Sequence, residues 1–399
     1  MEMNQAERLT FFVYLDGCRY DYISQENTPF LYQLSKDGFF SRVKTVPGFT
    51  QEAAMMTGKE PTETGYFTWY RHAPDRSPFI WIRPLRFLKC MRKLRIYYAI
   101  KVAIREITHL ITGKEYPDPG FIPLDILPRF ENVSATLPNH LPNLGSLCRL
   151  SKRSCFEQTS TRSFMRSKKC SELFRPVIKS LVDSRPYDLY LVHVGELDGF
   201  GHRYGPHPEL FQDRLREIDG WIHSTFDFAT KRKLAFNLII VSDHGMLDVK
   251  DTIDIERQLE LIPLKVPEDY LYFLDSTIAR FWFFNAKAKR LVERILSTVP
   301  NGHILSQQEK EKSKINFKPN NFYGELLFWV DKGYMIFPNF FQSIAQDKTS
   351  GMHGYIGDED GALIIHSSAE ILRDISNMYG KDVVPLSKVF DITRTIVGF

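Results

Sequence analysis

Six side chains of the types that bind divalent metal ions lie in four short motifs. The motifs are LDG, ELDGFGH, SDHG and GMHGY, and the candidate ligands in them are Asp16, Asp198, His202, Asp243, His244 and His353. A mixture of carboxylates and imidazoles suits zinc or manganese better than magnesium or calcium, which prefer oxygen ligands alone. Six such groups can hold two metal ions when a hydroxyl nucleophile and a substrate complete the coordination, and paired metal ions promote phosphoryl transfer.

Each motif taken alone also has an ordinary structural explanation. An Asp directly after a strand commonly forms a turn, and a single His in a loop is commonly solvated. Asp243 and His244 are harder to explain in this way, because both need polar partners at the end of an apolar strand. Asp198 and His202, four residues apart in what we predict to be a Gly-rich loop, can converge on one ion.

Thr50, in the segment PGFTQEAAMMTG, is a candidate nucleophile. Thr is a common helix N-cap, and the following QEAAMM run consists mostly of good helix formers, so the local sequence alone favours a structural role. The same position has a chemical use, because the N–H groups and positive dipole end of a helix stabilise an alkoxide and a bound phosphoryl oxygen. Thr45 is the alternative hydroxyl.

The elements that position these residues can be read from the apolar runs. Three runs end directly before polar residues of the motifs, namely residues 11–15, 189–194 and 238–241. Such unalternating runs are typical of parallel strands covered on both faces, and an open parallel sheet has its site beyond the carboxyl ends of its strands. Segment 208–222 has apolar residues at helical spacing. Further strand candidates, with antiparallel pairs among them, are residues 279–284, 326–330 and 362–366.

Composition sets broad limits on the class of protein. The chain has 399 residues, 43% hydrophobic and 25% charged, as expected of a globular protein with one large domain and an insertion. The net charge of +4 gives no reason to expect specific nucleic-acid binding. The sequence contains neither a signal-like apolar segment nor an apolar span of about 18 residues, so we expect a cytoplasmic protein. Five cysteines without a CxxC pair favour reduced thiols.

Residues 71–180 differ in character from the rest, and we predict that they form a cap inserted between two parts of a catalytic core, 1–70 and 181–399. Within them, residues 83–105 contain eight basic residues and no acidic one, interleaved with aliphatic and aromatic side chains. This basic segment has three explanations: a solvated helix face, a surface that steers an anionic substrate, or peripheral contact with a membrane.

The motifs, in this order, resemble the type I phosphodiesterase/nucleotide pyrophosphatase family of the alkaline phosphatase superfamily. The matching segments are LDG, the TG followed by PTETGYF, ELDGFGHRYGP, SDHGM and HGY, and they extend over roughly residues 10–70 and 185–399. The resemblance implies an α/β, alkaline-phosphatase-like core with a mainly parallel sheet and two divalent metal ions, zinc or alternatively manganese. It assigns one ion to Asp198, His202 and His353, and the other to Asp16, Thr50, Asp243 and His244.

By the same resemblance, Thr50 is a nucleophile that forms a phospho-threonine intermediate while phosphodiester or phosphoanhydride bonds are hydrolysed. The expected substrates are anionic phosphoesters such as nucleotides, nucleotide sugars or lipid-linked phosphates. Gln51, Tyr66 and Trp69 are candidates for contacting the substrate, although their local sequence favours packing beneath the cap over base stacking for the aromatic pair. The alternatives on the same core are a phosphoryl head-group transferase, a phosphomonoesterase and a non-catalytic binding protein. The sequence has no CxPSR segment, which argues against a sulfatase.

Overall fold

The computed structural model describes residues 8–93, 96–114, 116, 119–133, 143–159, 168–182, 186–342, 348–357, 360–380 and 383–398. The strands are β1 (Leu9–Leu15), β2 (Phe39–Lys44), β3 (Tyr70–His72), β4 (Phe130–Asn132), β5 (Cys155–Thr159), β6 (Leu189–Val194), β7 (Phe236–Val241), β8 (Leu247–Asp248), β9 (Asp251–Ile253), β10 (Tyr270–Leu274), β11 (Ile278–Phe283), β12 (Gly302–Ile304), β13 (Leu326–Val330), β14 (Tyr334–Ile336), β15 (Gly351–Met352), β16 (Gly361–His366) and β17 (Val383–Pro385).

The helices are α1 (Pro29–Asp37), α2 (Gln51–Thr57), α3 (Pro61–Thr64), α4 (Ile96–Thr112), α5 (Leu144–Leu150), α6 (Cys170–Val182), α7 (Glu196–Tyr204), α8 (Glu209–Lys231), α9 (Ile255–Leu259), α10 (Ala286–Leu296), α11 (Gln307–Lys312), α12 (Ala369–Tyr379) and α13 (Lys388–Val397). Segments Tyr20–Tyr22, Ile80–Lys93 and Leu127–Arg129 are 3-10 helices.

A seven-stranded sheet in the order β17-β2-β16-β7-β1-β6-β5 forms the centre of the molecule. The pairs β7-β1, β1-β6 and β6-β5 are parallel, as is β17-β2, whereas β16 is antiparallel to both of its neighbours. Because β16 reverses direction once on each side, β2 points the same way as β1, β6 and β7. The predicted α/β class with a mainly parallel sheet is confirmed.

Helices cover both faces of this sheet, which explains the unalternating apolar strands. In β1, Phe11, Val13 and Leu15 pack against α1, α6, α7 and α8, whereas Phe12 and Tyr14 pack against α2, α5, α12 and α13. Successive side chains of a strand point to opposite faces, so a strand between two helical layers must be apolar throughout. The buried strands are therefore held between two helical layers, and polar side chains are accommodated in the loops beyond the strand ends.

A smaller antiparallel sheet, in the order β10-β11-β13-β12, forms a second layer. Its apolar residues share one cluster with residues of the inserted region, including Phe79, Tyr97, Ile122 and Phe130. Strands β3 and β4 pair with each other within that region. The described part of residues 70–133 is therefore packed against the smaller sheet.

The predicted cap of residues 71–180 does not lie in one layer. Strand β5 pairs in parallel with β6 at the edge of the central sheet, and α6 packs in the cluster on one face of that sheet. Among the described residues of the cap, those that share a cluster with the smaller sheet end at Phe130. The domain division at residues 71 and 180 stays a prediction, and the sheet topology places β5 and α6 with the core.

The described residues also show the state of the cysteines and the character of the helices. Cys18, Cys148, Cys155 and Cys170 are free thiols, in line with the expected reduced state, and the side chain of Cys90 lies outside the described residues. Among the helices of the described ranges, none is long and apolar enough to cross a membrane.

Candidate active site

The candidate metal ligands lie together beyond one edge of the central sheet. Asp16 follows β1, and Asp243 and His244 follow β7, so all three lie at the carboxyl ends of neighbouring parallel strands. Asp198 lies in α7, just after β6. His353 lies in the segment before β16, and because β16 is antiparallel, its start lies at the same edge.

Asp16, Asp243 and His244 form one group of ligand atoms, all within 4.8 Å of one another. His244 Nε2 lies 3.3 Å from Asp16 Oδ1 and 3.5 Å from Asp243 Oδ2. Two ligand atoms that bind the same tetrahedral zinc ion, each at about 2.0–2.1 Å, are about 3.3 Å apart. The spacing of this group therefore suits a shared ion.

Asp198, His353 and His244 form a second group within the same limit of 4.8 Å. Asp198 Oδ1 lies 3.4 Å from His202 Nε2 and 3.7 Å from His353 Nε2. The rings of His244 and His353 stack with their centroids 3.8 Å apart. His244 thus borders both groups, and His202 adds a fourth side chain to the second.

Asp198 and His202 lie in helix α7, so the prediction of a Gly-rich loop at this position was wrong. A glycine inside a helix costs about 1 kcal/mol relative to Ala. Here the burial of Leu197 in the core, together with acidic residues at the positive end of the helix, outweighs that cost. The helix places the two ligands on one face, because residues four apart are neighbours on its surface.

Two buried polar atoms of the second group make no hydrogen bond among the described residues. They are Asp198 Oδ1 and His353 Nδ1. In His202 and His244, by contrast, Nδ1 donates to a backbone carbonyl oxygen at 3.0 and 2.9 Å, which leaves Nε2 directed toward the carboxylates of the site. This is how metal-binding imidazoles are oriented in proteins. The residues therefore fit divalent cations, which would satisfy the unpaired carboxylate oxygen.

The three carboxylates differ in their proton affinity. Burial opposes ionisation of Asp16, but hydrogen bonds from His193 and His244 outweigh it and hold the pKa of Asp16 well below its ordinary value. Burial raises the pKa of Asp243 to about 7 against the opposing charge of His244. Burial also raises the pKa of Asp198. The site thus gathers buried acidic groups that a cation would stabilise in their charged form.

The imidazoles at the centre of the site also differ. Burial alone would lower the pKa of His244, but Asp243 and Asp16 outweigh it and raise that pKa well above its ordinary value. Burial lowers the pKa of His353, and the neighbouring His244 lowers it further. His353 is therefore neutral and can offer a lone pair to a metal ion.

Gly17 allows the two groups to approach each other. It follows Asp16 with a φ of +79°, and a Cβ atom at this position would lie 3.1 Å from the Cα atom of Asp198. Any larger residue would strain the turn and push α7 away from β1. The glycine of the LDG motif therefore has a defined structural role.

Thr50 occupies the N-cap position of α2, as the sequence indicates, but its side chain makes no capping hydrogen bond. Its neighbours reach both groups of ligands. The Phe49 ring packs edge-on against His353 with centroids 5.5 Å apart, and the Glu52 carboxylate interacts electrostatically with Asp16. Residues on both sides of Thr50 thus interact with the two groups, and the Thr50 hydroxyl itself makes no capping bond.

Thr45 and Gln51 make other contacts. The Thr45 hydroxyl donates to its neighbour's carbonyl oxygen, Val46 O, at 3.3 Å. Gln51 is buried, and its Nε2 donates to the carbonyl oxygen of Gly48 at 2.6 Å. The amide of Gln51 therefore helps to shape the loop before Thr50, which leaves it less available to a substrate.

Of the two aromatic candidates, Trp69 lies closest in the structure to the nucleophile loop. Its indole Nε1 donates to the carbonyl oxygen of Phe49 at 2.9 Å, while the side chain remains 39% exposed. Tyr66 is partly exposed and lies in the same segment, which runs alongside residue 49. Trp69 therefore offers an aromatic surface next to Thr50.

The sequence interpretation missed two side chains that hold the ligands. Tyr14 Oη donates to Asp243 Oδ2 at 2.8 Å, and His193 Nε2 donates to Asp16 Oδ2 at 3.1 Å. The Tyr14 and His193 rings stack at 4.4 Å, because they are paired in the register of β1 and β6. Their only signal in the sequence is a polar ring near the carboxyl end of an otherwise apolar strand.

A mainly parallel sheet covered on both faces, with Asp/His groups beyond its carboxyl edge, defines an α/β protein with a candidate metal site at that edge. Comparison with known families shows which family this is. The sequence pattern of the Type I phosphodiesterase / nucleotide pyrophosphatase family matches residues 10–356, most of the chain, and the protein belongs to this family. The resemblance seen in the motifs is confirmed.

Individual relatives bear related names. Ectonucleotide pyrophosphatase/phosphodiesterase 1 of the yeast Saccharomyces cerevisiae is 25% identical over 295 residues, which cover 66% of this chain and 37% of the yeast protein. Human ectonucleotide pyrophosphatase/phosphodiesterase family member 5 is 25% identical over 181 residues, which cover 45% of this chain and 36% of the human protein. The matched region thus spans little more than a third of these relatives.

Solved structures share the fold over nearly the whole chain. Human ectonucleotide pyrophosphatase/phosphodiesterase 5 has a TM-score of 0.66 at 15% identity, covering 98% of this chain and 95% of its own. An inactive variant of the murine protein, in complex with AMP, has the same TM-score and identity and covers 98% and 96%. At this identity the similarity concerns the fold.

Proposed function

We propose that this protein is a metal-dependent phosphodiesterase/nucleotide pyrophosphatase that hydrolyses phosphodiester or phosphoanhydride bonds through a phospho-threonine intermediate on Thr50. One observation carries the proposal: two groups of Asp and His ligands meet beyond the sheet edge, and the loop of Thr50, whose hydroxyl makes no capping bond, contacts them through Phe49. Membership of the family supports the same reaction class.

Two divalent ions, zinc or alternatively manganese, suit this set of donors. Asp198, His202 and His353 would hold one ion. Asp16, Thr50, Asp243 and His244 would hold the other. When bound, such ions lower the pKa of a coordinated hydroxyl and neutralise charge that develops on the leaving oxygen.

The chain itself supplies the nucleophile and the position of the phosphoryl group. The Thr50 hydroxyl gives its proton to solvent, and its oxygen forms a bond to phosphorus while the bond to the leaving oxygen breaks and that oxygen takes a proton from solvent. The N–H groups at the start of α2 favour a phosphoryl oxygen beside Thr50. Water then attacks phosphorus, the bond to the threonine oxygen breaks, and Thr50 recovers its proton.

Tyr14 and His193 hold two of the carboxylates in place during this cycle. His193 donates to Asp16 Oδ2, which leaves Asp16 Oδ1 to face His244. Tyr14 donates to Asp243 Oδ2, the oxygen that also lies near His244 Nε2, while Asp243 Oδ1 accepts from the His244 backbone N–H at 3.0 Å. Partners of this kind fix the orientation of metal ligands. Both are positioning residues, since they act through Asp243 and Asp16.

The proposed substrates are anionic phosphoesters, with nucleotides foremost. The exposed ring of Trp69 beside Phe49 is a suitable surface on which a base could stack. The murine relative was solved in complex with AMP, which favours a nucleotide as the substrate. Nucleotide sugars and lipid-linked phosphates share the phosphoester group and remain within the proposed class.

Two alternatives share the same core chemistry. A phosphoryl head-group transferase would pass the group from Thr50 to an acceptor alcohol in place of water, and a phosphomonoesterase would prefer a doubly charged phosphate. Neither has an observation in its favour beyond the site they share. A non-catalytic binding protein is disfavoured, because all six Asp/His candidates and a free hydroxyl are present.

The proposal is tested by a hydrolysis screen of metal-loaded protein. The substrates are bis(p-nitrophenyl) phosphate, p-nitrophenyl phosphate and a p-nitrophenyl nucleotide ester. We expect kcat/KM to be higher for both diesters than for the monoester. A clear preference for the monoester would refute the phosphodiesterase assignment, and turnover that appears only after an acceptor alcohol is added would favour the transferase.

A further inference from the structure

Helix α4 (Ile96–Thr112) has polar residues on its buried face. Tyr97, Lys101, Ile104 and Thr108 are almost completely buried, at the helical spacing that defines one face. The Lys101 ammonium donates to the carbonyl oxygen of Ile122, and the Thr108 hydroxyl accepts from the indole of Trp81 at 3.1 Å. This face is therefore fixed against the inserted region by specific contacts, and the helix cannot simply rotate to hide its other side.

The exposed side of the same helix is apolar. Ile96 is 55% exposed, Ile107 41%, Leu110 81% and Ile111 60%. With the exposed Ala99 and Ala103, these residues recur at helical spacing and form one continuous stripe. A soluble surface rarely exposes so many aliphatic side chains together, and such patches mark sites of contact. We call these six residues the apolar stripe.

The chain around the apolar stripe is strongly basic. Residues 83–105 contain eight basic residues and no acidic one, in a chain whose net charge is only +4. In the 3-10 helix Ile80–Lys93, Phe87 is 66% exposed beside the exposed residues Arg83 and Arg86. An aromatic ring and aliphatic side chains beside basic residues are the combination found in helices that lie on membranes.

We propose that the apolar stripe of α4, together with Arg83, Arg86 and Phe87, binds peripherally to the surface of a membrane that contains anionic lipids. The apolar stripe and Phe87 enter the boundary between headgroups and acyl chains, and the exposed Arg83 and Arg86 pair with lipid phosphates. Lys101 does not contribute, because it is buried, and Arg105 is paired with Glu106. A second copy of the chain would repel at this surface, because both copies carry the same charge. The proposal concerns the location of the protein and is independent of the reaction at Thr50.

Vesicle flotation of the full chain tests the proposal. The vesicles contain phosphatidylcholine alone or with phosphatidylserine, at low and high salt. We expect flotation with the anionic vesicles, weakening at high salt. The double variant Leu110→Gln, Ile111→Gln should reduce the partition coefficient onto these vesicles roughly tenfold or more. Arg83→Gln with Arg86→Gln should reduce it roughly 30-fold.

The matched control is Leu150→Gln with Leu261→Gln, two exposed leucines outside the stripe, at 76% and 71% exposure. This variant should float like the unaltered chain. Circular dichroism and turnover of a p-nitrophenyl diester should be the same for all variants, which separates loss of binding from loss of folding. Failure of the unaltered chain to bind anionic vesicles would overturn the proposal. So would a dimer in sedimentation experiments that the Leu110, Ile111 variant dissociates without any lipid binding.

Discussion

At the scale of single residues, a substitution of Thr50 can show whether this residue only begins helix α2 or also acts as the nucleophile. Its hydroxyl makes no capping bond, so replacing Thr50 by Ala should cost little stability. We expect Thr50→Ala to keep its bound metal, as measured by atomic emission, and to lose diester turnover by several orders of magnitude.

Thr45→Ala is the matched control for that experiment, since the Thr45 hydroxyl only donates to a neighbouring carbonyl oxygen. It should retain turnover close to that of the unaltered protein. If instead Thr50→Ala stayed active and Thr45→Ala did not, the nucleophile would have to be reassigned to Thr45.

Tyr14 is the second residue whose role can be measured. Removing its hydroxyl takes away the donor at 2.8 Å from Asp243 Oδ2 and leaves that buried oxygen less well held. We expect Tyr14→Phe to lower metal affinity by roughly 10- to 100-fold, measured by competition with a chelating dye. Tyr190→Phe, which removes a buried hydroxyl at the opposite end of β6, is the control. Equal metal affinities in the two variants would exclude a positioning role for Tyr14.

The candidate metal ligands could be predicted from the sequence, but the residues that hydrogen-bond to those ligands could not. Asp and His are recognisable by type and motif, so all six candidates could be named in advance. Tyr14 and His193 act through the pairing of strands that are far apart in the sequence, and the register of that pairing cannot be read from either strand alone.

At the scale of elements, the loop between β2 and α2 sets the position of Thr50. Gly48 has a φ of +103°, and a Cβ atom there would overlap the carbonyl oxygen of Phe67. We expect Gly48→Ala to lower the free energy of unfolding by about 1–3 kcal/mol and to reduce kcat, because the loop must move. Urea unfolding and turnover of a p-nitrophenyl diester measure the two effects.

Gly220 provides the comparison, since it lies in the middle of α8 and a Cβ atom added there would have open space within 4 Å. Gly220→Ala should raise the free energy of unfolding by about 0.5–1 kcal/mol and leave turnover unchanged. Unchanged stability and turnover in Gly48→Ala would show that the loop conformation is not needed.

Elements with a strong apolar signal were predictable. The predicted strands 189–194 and 326–330 coincide with β6 and β13, and the helix predicted at 208–222 is the first part of the longer α8. Strand β5 was not predicted, because an edge strand with the sequence CFEQT is only half buried and carries polar residues. Helix α7 was missed for a different reason, since its glycines indicate a loop when tertiary packing is ignored.

At the scale of the whole molecule, a buried ion pair lies at the β10–β11 turn of the smaller sheet, and its arginine also contacts the start of β3. Arg280 in β11 is completely buried, and it donates to Asp275 Oδ2 at 2.6 Å and to the carbonyl oxygen of Tyr70 at 2.7 Å. We expect Arg280→Leu to lower the free energy of unfolding by about 3–5 kcal/mol, because Asp275 loses its buried counter-charge.

Urea unfolding measures this loss, with Lys59→Ala as the control. Lys59 forms an exposed pair with Glu63 at 3.5 Å, and such pairs contribute within about 1 kcal/mol. A loss for Arg280→Leu no larger than that for Lys59→Ala would contradict a stabilising role for Arg280 between Asp275 and β3.

The central claim is that the Asp/His groups form a metal centre that hydrolyses phosphodiesters. Its most direct test follows turnover of one diester in one preparation, before chelation, after chelation and dialysis, and after zinc or manganese is returned. Metal content is measured at each stage. We expect turnover to disappear with the metal and to return with it. Full diester turnover in the metal-depleted protein would contradict the account.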